Sequence, residues 1–256
     1  MNFFRKIMGQ GGKRPQGKSG ARAYAVGDIH GRLDLLNALL AKIEAEVAQR
    51  PPRRTWVIFL GDLIDRGPES AGVVERLRTW RPVHIRPVFL AGNHEEVLLS
   101  ILGGDAGILP NWLKFGGAEC AASYGVDPDM LRRVEEEEAV SLLRAKVPRA
   151  HREFLESFAD TFAFGDYLFV HAGIRPGVAI EEQDPADLRW VRQQFLEDDR
   201  DHGCVVVHGH TISKGVDERS NRIGIDTGAY RSGVLTALAI EGGERWYLTT
   251  EDHAGA

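Results

Sequence analysis

The sequence is short of cysteine, of long apolar runs and of basic charge, and each shortage closes off a class of protein. Its two cysteines, Cys120 and Cys204, cannot build a disulfide framework, and neither sits in a CxxC pattern. They read as small buried residues in a reducing compartment, so a cytoplasmic location is expected. No run approaches the roughly 20 apolar residues that span a bilayer, and no stable membrane insertion is expected. The opening MNFFRKIMGQ lacks both a long apolar stretch and a small-residue cleavage site, so it does not read as a secretory signal. A formal charge of −5 argues against a nucleic-acid partner.

What remains is an ordinary globular composition: 256 residues, 43% apolar and 27% charged, long enough to bury a substantial core. The first twenty residues carry Arg5, Lys6, Lys13, Arg14 and Lys18 without an acid, and residues 1–22 are expected to form a disordered basic tail. Residues 251–256 are expected to be a second, short tail. Residues 12–19, GKRPQGKS, match the phosphate-loop pattern GxxxxGK[ST]. That pattern works only between a strand and a helix, whose N-terminal amides hold the phosphates. Here no strand precedes it and the apolar AYAV follows, so the match is set aside.

From residue 23 the periodicity is informative. Ala23–Val26 reads as a strand, Leu33–Val47 as an amphipathic helix, and Trp56–Leu60 as a continuous apolar strand. Ser70–Trp80 reads as a helix and Val83–Leu90 as a third strand. This alternation predicts an α/β start with a buried parallel sheet. The middle, from about Glu95 to Phe158, reads as mostly helical, with one helix over Asp129–Ala145 whose Glu135–Glu138 run is a solvated face. From Phe162 the pattern turns to β. Phe162–Phe164 and Tyr167–His171 flank the turn Gly165-Asp166, and Val205–His208, Arg222–Asp226, Val234–Ile240 and Arg245–Thr249 follow.

Four short blocks fall where strands end: Gly27-Asp28-Ile29-His30-Gly31, Gly61-Asp62-Leu63-Ile64-Asp65-Arg66-Gly67, Gly92-Asn93-His94-Glu95 and His208-Gly209-His210-Thr211. His171 ends a strand of its own. In α/β sheets ligands bind at the carboxyl ends of strands. A Gly-Asp pair there is ordinarily just a turn, and one histidine is ordinarily structural, so the argument rests on the set. Asp28, Asp62, Asn93, His30, His171 and His210 form a mixed oxygen and nitrogen donor group without thiolate. That mixture suits manganese, iron or zinc better than calcium. Six donors exceed one tetrahedral zinc but suit two metals sharing a carboxylate, about 3.5–4 Å apart, which can clamp both oxygens of an in-line displacement and lower the pKa of water toward ~7.

These blocks, with His171-Ala172-Gly173 and Gly209-His210-Thr211, resemble the signature series of the bacterial-type phosphoprotein (serine/threonine) phosphatases of the calcineurin-like metallophosphoesterase superfamily. The resemblance runs from about Ala23 to Leu248 and is thin over Gly103–Phe158. It implies an α/β fold in which a two-sheet β-sandwich is flanked by helices, with a catalytic domain over residues 23–250 and a helical insertion at about 103–158. It implies two divalent metal ions, manganese first and iron or zinc as alternatives. Asp28 and His30 would hold one, Asn93, His171 and His210 the other, and Asp62 would bridge them. His94 would be the general acid, oriented by Asp65. Arg66, Asn93 and, through a looser match, Arg192 would bind substrate.

The implied activity is hydrolysis of a phosphomonoester in a phosphoprotein or phosphopeptide. Some relatives outside this family end in Gly-His-x-His, whereas Gly209-His210-Thr211-Ile212 does not, which favours the phosphoprotein branch. The alternative is a symmetric diadenosine tetraphosphate hydrolase, whose second block typically carries Ala in place of Asp65 and whose third ends in Asp rather than Glu95. A silent scaffold that kept the fold for binding is a third reading, disfavoured because no expected ligand is missing. His208 is expected to be structural or to support the metal ligands from behind, and Tyr230 and Arg231 to line the cleft.

Overall fold

The computed structural model describes residues 14–251. Its first strand, β1 (Ala21–Val26), pairs in parallel with β2 (Arg54–Phe59), which pairs in parallel with β3 (Ile85–Phe89). α1 (Leu33–Gln49) and α2 (Ser70–Arg78) make the two crossovers, and α3 (Asn93–Gly103) follows β3. Pro87 lies within β3, which is tolerated because β3 is the sheet's outer strand.

The helical middle continues with α4 (Leu109–Trp112), α5 (Ala118–Ser123), α6 (Pro128–Leu131), α7 (Glu136–Lys146) and α8 (Arg149–Glu156). The single helix expected over Asp129–Ala145 is two helices. Asp127 caps α6 by accepting from the Asp129 N–H, and Glu135 is extended just before α7. The break lets both Leu131 and the Ala139–Val140–Leu143 stripe reach the core.

A second sheet then forms from β4 (Thr161–Phe164), β5 (Tyr167–Val170), β6 (Val205–His208), β7 (Asp217–Glu218) and β8 (Arg222–Gly224). The short helices α9 (Pro185–Trp190) and α10 (Gln193–Leu196) sit between β5 and β6, and α11 (Ala229–Ser232) follows β8. Finally β9 (Thr236–Glu241) and β10 (Glu244–Thr249) return to the first sheet, whose order is β10-β9-β1-β2-β3. The second runs β4-β5-β6-β8-β7.

Three apolar layers fix the order of these parts. Ala23, Ala25, Ile58 and Leu238 of the first sheet pack against Phe164, Phe169, Val207 and Ile223 of the second, so the sheets form a sandwich. The alternate residues Tyr24, Val26, Val57 and Phe59 face the helices, with Leu36, Leu39, Val73 and Leu98. The outer face of the second sheet, Leu168, Val170 and Val206, is covered by Leu188 and Phe195. β1 and β2 are thus buried on both faces, which is why they read as unbroken apolar runs rather than alternating ones. The fold is the helix-flanked two-sheet α/β sandwich that the resemblance implies.

The first strand begins at Ala21, two residues earlier than its apolar pattern. Residues 14–20 of the expected tail run along two hairpin turns. The Gly17 N–H donates to Gly242 O (2.7 Å), and Gln16 exchanges hydrogen bonds with Asp166 through its N–H and its carbonyl, both 2.8 Å. Gly17-Lys18-Ser19 leads into a strand, not a helix, so the phosphate-loop geometry is lacking there. Residues 1–13 of the expected tail and residues 252–256 lie outside the described residues.

Candidate metal centre

β1, β2 and β3 run in one direction, and so do β5, β6 and β8. Their carboxyl ends deliver Asp28, Asp62, Asn93, His171, His210 and Asp226 in turn, each within a few residues of its strand. The turns that do this are strained. Of the six non-glycine residues with positive φ among the described residues, five are His30 (45°), Asp62 (49°), Asp65 (71°), Arg66 (66°) and His210 (63°). Each such residue costs on the order of 1–3 kcal/mol, and such strain clusters where side chains must be aimed. Glycine is demanded beside them: a Cβ at Gly209 would collide with Asp28 Oδ1, and one at Gly92 with Asp62 Oδ1.

The side chains converge with lone pairs facing one another. His171 Nδ1 lies 2.8 Å from the carbonyl of Leu60, an acceptor, so the ring proton sits there and Nε2 is bare. That bare nitrogen faces Asn93 Oδ1 at 3.0 Å, His210 Nδ1 at 3.2 Å and Asp62 Oδ1 at 3.4 Å. His30 repeats the arrangement: Nδ1 donates to Ile64 O at 2.8 Å and Nε2 lies 3.5 Å from Asp62 Oδ2. Asp62 thus belongs to both donor groups, His30–Asp62–His94 and Asp62–His171–His210, whose ligand atoms lie within 4.8 Å of one another. Asp28 accepts from the His210 N–H at 3.0 Å, and its charge is felt alongside those of Asp62 and Asp226. Acceptors packed against acceptors in a buried site call for cations, and the donor set of carboxylate, imidazole and amide oxygen fits them.

The electrostatics agree. Burial alone would raise the Asp62 carboxyl, but the ring of imidazoles, His171 foremost, holds it well below the usual range. Burial pushes His30 down to about 3 and His210 to about 2, and it lowers His171 against the pull of Asp62, which disfavours a proton where these rings would meet a cation. Burial raises Asp28, with the neighbouring charges of Asp226 and Asp62 adding to it.

His94 differs from its neighbours. Its Nδ1 meets Asp65 Oδ2 at 2.6 Å, and its Nε2 faces the centre, 3.8 Å from Asp62 Oδ2. Burial opposes its proton, but Asp62 and Asp65 outweigh that and raise its pKa. Arg66 spans the two sides of the centre, with Nη1 3.0 Å from His30 Nε2 and Nη2 3.1 Å from His94 Nε2. Arg192 is exposed, and its charge reaches His171 and His210 without a hydrogen bond to either.

Tyr230 stands edge-to-face on His30 (5.4 Å between ring centroids) and under the Arg66 guanidinium (4.9 Å). Three residues were given no role by their pattern. Glu95 accepts from the N–H groups of Asp62, Leu63 and Gly92, which clamps two of the strand-end turns together. Trp112 Nε1 donates to Asp65 Oδ2 at 2.9 Å, the oxygen that also holds His94. Asp226 is buried, and its Oδ2 meets no hydrogen-bond donor among the described residues. Its signal was present, because Asp226-Thr227-Gly228 is one more glycine-flanked acid at a strand end. Trp112 had none, lying 47 positions from Asp65.

Residues 21–234 match the calcineurin-like phosphoesterases, and the chain belongs to that family. It is a metallophosphoesterase, a hydrolase with side-chain groups able to hold metal. The chain is 27% identical to serine/threonine-protein phosphatase 1 of Salmonella typhimurium over 242 residues, covering 90% of this chain and 96% of that one. It is also 30% identical to a symmetrical bis(5'-nucleosyl)-tetraphosphatase of Methylococcus capsulatus over 153 residues, but spans only 43% of that protein's length. Among solved structures, a putative diadenosine tetraphosphatase superposes with a TM-score of 0.60 at 20% identity, over 91% of this chain and 95% of the other. The cold-active protein-tyrosine phosphatase of a Shewanella species gives 0.54 at 17%, over 91% and 83%. At these identities the structures speak for the fold alone.

Proposed function

We propose that the chain is a phosphomonoester hydrolase acting on phosphoserine or phosphothreonine in proteins. The observation that carries this reading is the buried Asp65–His94 pair at 2.6 Å. Release of a serine or threonine side chain produces a strongly basic alkoxide, which needs a proton as the bond to phosphorus breaks. Splitting a dinucleoside tetraphosphate releases a nucleoside diphosphate, a weak base that leaves without one. A charged imidazole beside a cation site keeps its proton only if an anion is fixed against it, and Asp65 is so placed. The Salmonella relative, matched over nearly its whole length, supports the same substrate class.

In this reading Asp28, His30 and Asp62 hold one divalent cation. Asp62, Asn93, His171 and His210 hold a second, so that Asp62 is shared. When bound, the cations supply Lewis acidity to the phosphoryl oxygens and bring the pKa of water toward neutrality. Manganese is proposed, with iron and zinc compatible with the same donors. Arg66 binds phosphate oxygens through its planar fork, braced by Tyr230, and Arg192 and the Asn93 amide add contacts from the other side. Once Arg66 turns from His94 Nε2 to the phosphate, protonated His94 donates from Nε2 to the departing oxygen while Asp65 holds Nδ1. Cys120 and Cys204 are unpaired, which supports a cytoplasmic location.

His94→Asn tests the reading. Metal content should be kept, turnover of a phosphoserine peptide should fall by on the order of 10²–10⁴-fold, and p-nitrophenyl phosphate should suffer far less. Equal losses on both substrates would remove the general acid from the account.

The nucleotide reading keeps one observation in its favour. Several relatives, matched over less than half of their own length, carry that name.

A further inference from the structure

A groove of about 1410 Å³ opens at the end of the sandwich opposite the metal centre. Gly20 before β1, Arg54 at the start of β2 and Ile85 and Arg86 at the start of β3 lie on its wall, whereas the centre sits at the other ends of these strands. A strand of this length separates the two by roughly 20 Å.

Seven arginines from β1, β2, α2, β3 and the intervening loops line the groove, against one carboxylate, Glu44, and no lysine. The chain as a whole is acidic, at −5, so this is a local reversal of sign.

Three of the arginines are paired with carboxylates: Arg22 and Arg53 share Glu241, and Arg50 pairs with Glu46. Arg54, Arg76, Arg81 and Arg86 meet no carboxylate among the described residues. Neutral partners hold three of them. Arg76 Nε donates to Asn37 Oδ1 at 3.0 Å, Arg81 Nη1 donates to the carbonyls of Arg78 and Trp80, and Arg86 lies over the Trp56 ring. The charge of all four is therefore unspent, and the positions of Arg76, Arg81 and Arg86 are set before anything binds. Val83, 76% exposed, stands among them as an apolar contact.

We propose that this groove binds an acidic, extended polypeptide segment. Guanidinium forks pair two-pronged with carboxylates and phosphates, and such groups recur at strand spacing along an extended peptide. The neighbouring Trp56 and Trp80 are buried, so no aromatic face is offered for stacking bases. A single exposed valine is too little to insert into a lipid surface. The site uses none of the residues assigned to catalysis, so it stands or falls separately from the proposed reaction. If the protein does act on phosphoproteins, the groove would hold a substrate by an acidic stretch remote from its phosphate.

The test is fluorescence anisotropy of the full chain with a phosphate-free, fluorescein-labelled poly-glutamate peptide carrying one leucine. A single-stranded oligonucleotide and anionic vesicles are titrated in parallel. The peptide should bind in a salt-sensitive way, and the double variant Arg54→Glu, Arg86→Glu should weaken it by on the order of tenfold or more. The milder Arg54→Gln, Arg86→Gln should give an intermediate loss, and both variants should keep the wild-type circular-dichroism melt and p-nitrophenyl phosphate turnover. The proposal is overturned by no peptide binding at millimolar concentration, by binding that either folded variant leaves unchanged, or by an oligonucleotide or vesicle that binds through these arginines in preference to the peptide.

Discussion

The Glu95 carboxylate accepts from three backbone N–H groups, those of Asp62 (2.9 Å), Leu63 (2.8 Å) and Gly92 (3.0 Å). It ties the turn after β2 to the start of α3, and with them Asp62 to Asn93 and His94. Burial, with the Asp62 charge behind it, raises this carboxyl to about 7. Glu95→Ala should strand three buried donors, cost roughly 2–4 kcal/mol and lower Tm by roughly 5–12 °C, with Glu95→Gln in between. A melt unchanged in Glu95→Ala would show the clamp to be idle. His208 gives a pH prediction. Burial pushes it down to about 4, with Nδ1 donating to Gly209 O. A ring whose folded pKa is depressed stabilises the fold above its unfolded pKa and loses that contribution as pH falls. The window here is from about 6.5 down to about 4, and the full loss is about 3 kcal/mol. His208→Asn, which keeps the donor, should flatten that part of the stability curve of the metal-stripped protein, as followed by urea melts at each pH. An unchanged curve would assign the acid loss to His30 and His210 instead. The residues visible in the sequence are those carried on glycine-flanked turns at strand ends. Glu95 stood inside such a block, yet its three donors are set by two loops meeting, which no local spacing encodes.

At the scale of elements, β1, β2, α1 and α2 are legible because each buries a face or a pair of faces that leaves a periodic trace. Two elements are not. β7 is a two-residue strand held by pairing to β8, too short to carry a pattern. The division between α6 and α7 comes where Glu135 turns extended so that both Leu131 and the Ala139–Val140–Leu143 stripe are buried, a tertiary matter that helix-forming composition conceals. The same helical region supplies Trp112, at the end of α4, followed by a kink in which Phe115 and Gly116 leave helical geometry (φ 111° at Gly116) and the Gly116 carbonyl accepts from the Arg66 N–H at 2.9 Å. Gly116, at φ 111°, takes a backbone conformation that favours glycine, and the kink supports Arg66 while Trp112 supports Asp65. Trp112→Phe removes the donor and keeps an aromatic ring. It should lower kcat on a phosphoserine peptide by roughly tenfold and on p-nitrophenyl phosphate by much less, with metal content unchanged. Parallel losses on both substrates would mean that Trp112 acts through packing alone.

For the molecule as a whole, two sheets with parallel strands ending at one edge of a sandwich bring donors from six separated segments to a single point. The composition admits such a fold but does not specify it. The return of β9 and β10 to the first sheet is a long-range pairing that only the structure displays, whereas the metal-ligand pattern is carried by the ordered blocks themselves. The central claim is that this site hydrolyses phosphomonoesters of proteins with the help of bound divalent metal. Metal-stripped protein reloaded with manganese would be given a phosphoserine peptide, diadenosine tetraphosphate and p-nitrophenyl phosphate in parallel. The account predicts no turnover before reloading, and afterwards a kcat/KM for the peptide that exceeds the dinucleotide's. A higher value for the dinucleotide, or undiminished activity without metal, would contradict it.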